Sequence, residues 1–328
     1  MISYQDNLYI YDDIPSAGTK IRLLRVYGQS DTLVIPDMID GKRVTVVGAY
    51  CFAPESKLTL QEEKACELFL KEHGLLGTHH LVAGEEISAV SLPDGVRCLE
   101  SYAFYNCRNL KKLTFGAGLD EIHGDFMMNC RSLEMLVVRS DWRTATGIPY
   151  FLSQITSEIE VVFLPSGENG MEKEVRLLFP EYSESYEEIG PAHIFHLQVE
   201  GQGFRARKQF TNGILDLTGY DRVFENAVST EPVCTLVRMV ADRLGSPAEL
   251  KPQFQKSYEA YLREHEREWL HAIVAKQDES RLAWMCESGL LSQAGREYAV
   301  GEAVKTGWLR GSAALLRTAG GDEDEYVF

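Results

Sequence analysis

The sequence predicts an α+β protein: a short solenoid of stacked coils with a parallel sheet, then a small β-hairpin region, then an all-helical C-terminal domain. Three observations predict this order. A 23-residue internal repeat runs through the first half of the chain, short apolar segments bounded by glycines follow it, and apolar residues recur at helical spacing beyond Pro232. With 328 residues, 45% of them hydrophobic, the chain is long enough to bury more than one core.

These patterns divide the chain into four parts. They are an N-terminal hairpin cap (1–31), a repeat solenoid (32–165) with a helical insertion at 56–87, a linker and β-hairpin region (166–231), and a helical domain (232–328). A short stack needs caps, because each terminal coil would otherwise expose its apolar face and an open strand edge. Residues 7–11 and 20–27 predict a hairpin that covers the first end, and residues 158–165 are expected to cover the other.

The internal repeat is visible when residues 90–110 are laid over residues 113–133. Six positions match at this offset of 23 residues: Val90 with Leu113, Leu92 with Phe115, Leu99 with Ile122, Asn106 with Asn129, Cys107 with Cys130, and Leu110 with Leu133. Residues 33–52 have the same layout with a longer turn, and Leu136 and Val138 begin a further copy. A chance match between two amphipathic segments is the weaker explanation, because six positions agree at one offset.

A repeat of this length describes a coil made of one short strand and one irregular or helical return segment. One coil cannot bury its own apolar face, so neighbouring coils stack and their strands form a parallel sheet. The matched Asn106/Asn129 and Cys107/Cys130 pairs are predicted to lie inside the turns, where they satisfy backbone groups of the neighbouring coil. We therefore interpret these four residues as structural.

These residues resemble the BspA-like class of leucine-rich repeats, whose coils follow the pattern "v.lP.gv..Ig..AF.nC.nL..l". Here the pattern is Val90–Leu113, with Ala103-Phe104 and Asn106-Cys107, and the resemblance covers residues 32 to about 140. There are two departures: Phe126-Met127 replaces the Ala-Phe pair in the last full coil, and a helical insertion interrupts the first. The resemblance implies a leucine-rich-repeat solenoid that recognises another macromolecule.

The insertion has the signals of a capped helix. Thr59 and Glu62 predict a capping box at its start, and Gly74 is placed to end it. Its apolar stripe is expected to pack on the stack of coils; the stripe consists of Leu60, Cys66, Phe69 and Leu70.

The middle of the chain reads as strands and turns. Residues 166–192 are polar around one apolar strand, residues 175–179, which favours a linker. Residues 193–199 and 204–210 predict a hairpin around the turn 200–203, and Asn212-Gly213 predicts a second turn.

Beyond Pro232 the period is helical. Start signals stand at Ser246 and Asp278, and stop signals at Gly245, Gly289, Gly307 and Gly320. Residues 272–289 align with 302–319 at an offset of 30, which pairs Val274 with Val304, Ala283 with Ala313, and Met285 with Leu315. These helices resemble ankyrin-style hairpins without the ankyrin turn motifs. The combined second half is similar to the region that accompanies BspA-like repeats in uncharacterised bacterial proteins, and this resemblance implies no activity.

Charge and composition limit the class of partner. A net charge of −16, with no basic cluster interleaved with aromatics, disfavours nucleic acid and anionic membrane surfaces. Residues 1–10 lack the pattern of a signal peptide and no apolar run is long enough to span a bilayer, so we expect a cytoplasmic protein. The seven cysteines contain no C-x-x-C pair, which favours reduced, mostly buried thiols over a disulfide framework or a zinc site.

No motif for catalysis stands out. His265 and His271 are six residues apart and so lie on different faces of a helix, and His79-His80 reads as a surface loop without a ligand partner. Gly201-Gln202-Gly203 is interpreted as a hairpin turn rather than a phosphate loop, because strands are predicted on both sides. No P-loop, G-x-S-x-G, H-E-x-x-H or kinase signature is present. We therefore expect no enzyme activity, no cofactor and no metal site.

The predicted binding surface is the outer face of the parallel sheet. Strand alternation places Val34, Ser91, Thr114 and Val137 outward, flanked by Thr32, Ala89, Lys112, Met135 and Arg139. One interpretation is a flat protein-binding patch, and the other is that this row packs on the chain's own second half.

Three hypotheses about function remain open at this point. The first is a non-enzymatic protein-interaction module that uses the repeat surface, with a protein partner of unknown identity. The alternative is an enzyme or ligand-binding domain in residues 190–328 with the repeats as a recognition arm, and the two separate on whether a deep polar pocket holds a Cys, a His or a carboxylate pair there. The third is an adaptor whose helical domain contacts the partner. The acidic residues 322–325 are interpreted as a solvated end.

Overall fold

The computed structural model describes residues 1–15, 18–165, 173–189 and 193–317. The chain forms two compact units. The first comprises Met1–Glu174 and Arg207–Leu215, and the second comprises Val175–Ala206 and Asp216–Phe328. The predicted stop signal Gly320 and the acidic residues 322–325 lie outside the described residues.

The first unit is built mainly from short strands. They are β1 (Ile2–Tyr4), β2 (Leu8–Asp13), β3 (Lys20–Gly28), β4 (Thr32–Val34), β5 (Met38–Ile39), β6 (Lys42–Val47), β7 (His80–Leu81), β8 (Ala89–Ser91), β9 (Cys98–Leu99), β10 (Lys112–Gly116), β11 (Glu121–Ile122), β12 (Met135–Arg139) and β13 (Ile159–Phe163). Two helices accompany them, α1 (Leu60–Glu72) and α2 (Ile148–Gln154).

Three of the coils contribute one strand to each of two sheets, through β4 and β6, β8 and β9, and β10 and β11. In the repeat sheet, β13, β12, β10, β8 and β4 lie side by side and all of them are parallel. In the second sheet the order is β1-β2-β3-β6-β9-β11, with β5 on β6 and β7 on β3. The sequence alignment predicts the observed register, since Leu113 lies opposite Val90 and Leu136 lies opposite Leu113. The inward side chains form a buried row of Leu33, Val90, Leu113, Leu136 and Val161, each at most 1% exposed.

The turns between coils are held by the matched Asn and Cys side chains. The thiol of Cys107 donates to the carbonyl oxygen of Phe52 at 3.2 Å, and the thiol of Cys130 donates to that of Phe104 at 3.0 Å. Asn129 donates from Nδ2 to Oδ1 of Asn106 at 2.9 Å. The two thiols satisfy backbone carbonyls of the preceding coil, as predicted, whereas the Asn129 side chain donates to the Asn106 side chain and not to a backbone group.

The N-terminal segment forms the predicted hairpin. Strands β2 and β3 are antiparallel, and β3 continues the second sheet through a parallel pairing with β6. It therefore covers the end of the second sheet, whereas the repeat sheet has β4 as its last strand on that side.

The capped helix α1 is confirmed, but its packing differs from the prediction. Thr59 accepts from the Glu62 amide while Glu62 reaches back to the Thr59 amide, and Gly74 follows the helix with a positive φ of 69°. Cys66 and Leu70 are buried against Leu8 and Ile10 of the N-terminal strand β2 rather than on the repeats. Leu60, at the first turn, is 68% exposed, so it was wrong to include it in the buried stripe.

The middle of the chain corrects one predicted hairpin and confirms another. Strand β14 (Val175–Phe179) is present as predicted, and β16 (Ile194–Glu200) pairs antiparallel with β15 (Ser183–Ile189), not with residues 204–210. Residues Gly203–Arg207 form a short helix, α3. Strands β17 (Phe210–Thr211) and β18 (Ile214–Leu215) form the second hairpin, with positive φ at both Asn212 and Gly213, as a two-residue turn between twisted strands requires.

The second unit ends in seven helices within the described residues. They are α4 (Leu217–Ala227), α5 (Val233–Gly245), α6 (Pro252–Glu264), α7 (Glu266–Lys276), α8 (Glu279–Glu287), α9 (Gln293–Lys305) and α10 (Leu309–Arg317). The bounds of α8 and α10 differ by the predicted 30 residues, and Asp278 caps α8. Ser246 was wrongly predicted as a start, since it ends α5 and the next helix begins at Pro252. No helix of the described residues combines the length and apolarity that crossing a membrane requires.

The core of this unit contains a buried ionic network. The guanidinium of Arg243 donates to both carboxylate oxygens of Asp221, at 2.7 and 2.9 Å, and to the carbonyl oxygens of Ser246 and Ala248. Tyr258 donates to the same carboxylate at 3.0 Å. The two buried charges compensate each other, because the Arg243 guanidinium is paired with the Asp221 carboxylate and both groups make further hydrogen bonds.

Candidate functional site

The outer face of the repeat sheet is open along its first three strands. On β4, Val34 is 69% exposed and Thr32 is exposed beside it. Lys112 of β10 is exposed, and Ala89, Ser91 and Thr114 are half-buried. We call these six residues, Thr32, Val34, Ala89, Ser91, Lys112 and Thr114, the open face.

The predicted row does not continue across the next strands. Val137 of β12 is only 4% exposed, so its predicted place on the surface is wrong. It lies in register with Val162 of β13, which is 3% exposed, and apolar side chains in register on neighbouring strands pack together. Met135 is half-buried. The open face is therefore narrower than the row that strand alternation predicts.

Arg139 is part of the predicted surface, but its side chain makes hydrogen bonds to another coil. Its side chain crosses from β12 toward β8, where Nε donates to Asp94 at 2.6 Å and a terminal nitrogen donates to the Ser91 hydroxyl at 3.2 Å. It also contacts the Leu92 carbonyl oxygen. Gly116 lies opposite Arg139 in the register, and the space that a side chain there would fill is occupied by Asp94. Arg139 thus ties two repeats together.

Three clefts of the described residues bear on the alternative of a ligand-binding pocket. One, of about 710 Å³, lies in the first unit between residues 117–120 and 144–147, with Arg97 and Tyr150 at its sides. Two others lie in the second unit. One, of about 610 Å³, is lined by residues of α8 and α10. The other, of about 520 Å³, is lined by residues 199–205 and Thr230. None of these three clefts is lined by a Cys or His residue.

Two motifs have a different environment from the one predicted. His79 is buried rather than in a surface loop, since its ring nitrogens contact Thr78 and the Asp6 carbonyl oxygen. The segment around Gly201 is a strand followed by the short helix α3, not a hairpin turn. The Gln202 amide there already donates to the carboxylate of Glu231.

Sequence reasoning missed one grouping of reactive side chains. Cys98 of β9 lies opposite Glu121 of β11, and His123 follows two residues later. The Cys98 Sγ is 3.9 Å from Nε2 of His123, which is 3.1 Å from Oε1 of Glu121. Burial, followed by the charges of Glu121 and Glu100, raises the pKa of the Cys98 thiol to about 12. The available signal was the repeat itself, because Cys98 and Glu121 are 23 residues apart.

A family model agrees with the repeat. A family profile described as "BspA type Leucine rich repeat region (6 copies)" matches residues 80–173. Among solved structures, the chain is similar to a crystal structure of the T. pallidum Leucine Rich Repeat protein (TpLRR), with 24% identity and a TM-score of 0.28. That match covers 40% of this chain and 51% of the other, so the chain spans about half the length of that protein. No curated protein matches the chain.

Proposed function

We propose that this chain, whose residues 80–173 form a BspA-type leucine-rich-repeat region, is a non-enzymatic protein-interaction module. Its stacked coils act as a short solenoid, and its partner is a protein that binds the open face. The observation that carries the proposal is Val34, a valine 69% exposed on a strand whose neighbours offer small, mostly uncharged side chains.

The open face has the composition of a protein-binding patch. An exposed apolar side chain is an anchor that a partner can bury, and surrounding small residues let another surface approach closely. Lys112 is its charged member, while the acidic Asp94 nearby is already paired with Arg139. The complementary partner surface is therefore flat, with an apolar pocket for Val34 and an acidic group facing Lys112.

The partner is expected to use the face of the sheet rather than its edge. Strand β4 is the last strand on its side of the repeat sheet, but it has only three residues. Such a short edge offers few backbone groups for an added strand, which limits edge pairing. We place the protein in the cytoplasm, a proposal supported by its free cysteines.

The test compares partners captured by three tagged forms of the full chain. They are the wild type, a form with Val34→Arg and Thr114→Arg, and a control with Val304→Arg. Val304, 65% exposed on α9, matches Val34 in exposure. We expect a partner identified with the wild type and with the control to bind the double variant about tenfold or more weakly, measured by calorimetry with the purified partner.

Other results would contradict the proposal. Equal affinity for all three forms would exclude the open face. Loss of binding only in Val304→Arg would assign recognition to the helices of the second unit, which is the adaptor hypothesis.

A further inference from the structure

We propose that Cys98, Glu121 and His123 form a binding site for a divalent ion of the zinc class, with water as the fourth ligand. The site is separate from the open face and does not depend on the proposed interaction. It lies on the second sheet, where β9 and β11 are adjacent.

The repeat brings the three donors together. Cys98 and Glu121 occupy the same register position on neighbouring parallel strands, so their side chains project from the same face. His123 lies two residues after Glu121 and its imidazole reaches the same point. One potential ligand atom from each of the three side chains lies within 4.8 Å of the others.

The donor separations fit tetrahedral coordination. With Zn–S near 2.3 Å and Zn–N or Zn–O near 2.0–2.1 Å, ligand atoms in a tetrahedron are about 3.3–3.6 Å apart. The observed separations are 3.1 Å between His123 Nε2 and Glu121 Oε1, and 3.9 Å between Cys98 Sγ and His123 Nε2. These two separations lie within a few tenths of an ångström of the tetrahedral values, and the third, between Cys98 Sγ and a Glu121 carboxylate oxygen, is at most 4.8 Å.

The donor set selects the class of ion. A thiolate and an imidazole favour zinc and similar transition ions over Mg²⁺ or Ca²⁺, which prefer sites made wholly of oxygen. Binding requires the Cys98 thiol to release its proton as the S–metal bond forms, while neutral imidazole and ionised carboxylate bind unchanged. His123 and Glu121 have side chains 44% and 66% exposed, so an ion can enter from solvent.

The ion would cross-link two successive coils. Cys98 belongs to one coil and Glu121 and His123 to the next, so a bound ion adds a connection that the unfolded chain lacks. Binding only to the folded form raises stability by mass action.

The experiment titrates Co²⁺ into the reduced full chain, because tetrahedral Co²⁺ bound to thiolate gives intense visible bands and a sulfur-to-cobalt charge-transfer band. We expect one equivalent to bind, Zn²⁺ to displace it, and stoichiometric Zn²⁺ to raise Tm. Cys98→Ser should abolish the charge-transfer band. Since even residues outside a ligand set contribute about 10–100-fold to metal affinity, His123→Ala should weaken binding by at least about tenfold.

Matched controls are Cys234→Ser, which removes an exposed thiol, and His271→Ala, which removes an exposed imidazole. Both should bind Co²⁺ as the wild type does. The proposal is overturned if the wild type shows no charge-transfer band, or if His123→Ala binds with unchanged affinity. Because His123 is exposed, that variant decides the question even if the buried Cys98→Ser does not fold.

Discussion

The backbone at Asn106 and Asn129 is held in the left-handed region, with φ of 57° and 67°. Asparagine tolerates this conformation better than other residues with a Cβ, since its short amide makes local hydrogen bonds. The side-chain amide of Asn129 also links two coils, because its Nδ2 donates to Oδ1 of Asn106 in the preceding coil. One residue type therefore meets a backbone requirement and a side-chain requirement together.

These two contributions can be separated at Asn129. Both variants remove the side-chain bond, but Asn129→Gly also removes the Cβ and the left-handed strain that it causes, whereas Asn129→Ala keeps the Cβ without the amide that eases this conformation. We expect Ala to lower the free energy of unfolding by about 1 kcal/mol more than Gly does, as measured by urea denaturation. Equal effects would show that the backbone conformation relaxes at this position.

A second residue-scale prediction concerns Asp278, which caps α8 and accepts from the Arg281 side chain. Burial raises the pKa of Asp278. The amide and the guanidinium of Arg281 together lower this pKa by more than burial raises it, so that it lies below the usual 3.8. A carboxyl with a lowered folded-state pKa contributes stability above its unfolded pKa, and that contribution disappears as pH falls through the folded value.

We therefore expect Asp278→Asn, which keeps a capping oxygen, to cost about 1 kcal/mol at neutral pH. The difference from the wild type should shrink below about pH 4, in urea unfolding curves followed by circular dichroism. Asp216→Asn at the start of α4 is the capping control, because Asp216 also accepts from a backbone amide. A difference that grows on acidification would contradict this account of Asp278.

At the scale of elements, the first turn of helix α1 is stabilised by its cap more than by the packing of its apolar residues. Two of its residues, Cys66 and Leu70, are buried, so few packing contacts fix its first turn. Thr59→Ala removes the capping acceptor and should destabilise the helix by about 1 kcal/mol, while Thr59→Ser retains it. Hydrogen exchange should show faster exchange of the Glu62 amide in the Ala variant alone, and equal rates in both variants would contradict a capping role.

Element prediction succeeded where local signals and packing agree. The strands β8, β10 and β12 follow from their period and their repeat, and the turn at Asn212-Gly213 follows from residues that accept positive φ. The alternation of residues 204–210 predicts a strand, yet their first part belongs to helix α3. Contacts with residues far away in the sequence outweigh the local pattern here. Ala206 is fully buried, and Arg207 donates to the carbonyl oxygens of Ile155 and Ser157, some fifty residues earlier.

At the scale of the whole molecule, the sites were predictable only in part. Alternation correctly placed Val34 and Thr114 outward. It cannot show that Val137 is buried, because the burial of a side chain on an outer face depends on which other residues pack against it. To predict the grouping of Cys98, Glu121 and His123, one would have to know that their coils each supply a strand to the second sheet. That strand has only two residues in β9 and in β11, too few to leave a periodic signal.

The arrangement of all seven cysteines gives a whole-molecule prediction. All are free: Cys51, Cys66, Cys98 and Cys107 are buried, Cys130 and Cys286 are partly exposed, and Cys234 is exposed. Burial raises the pKa of the Cys66 thiol to about 11, and contact with Cys130, together with burial, raises that of Cys107 well above its usual value. Since the thiolate is the reactive form, these buried groups are doubly protected.

A thiol reagent added to the native protein at neutral pH should therefore react in a fast phase with Cys234 and more slowly with the two partly exposed thiols. The four buried thiols should react only at the rate of opening, so that denaturant raises the count to seven. Cys234→Ser should remove the fast phase alone. A count below seven in denaturant without reductant would mean that some cysteines pair, which would contradict both the free thiols and the cytoplasmic placement that they support.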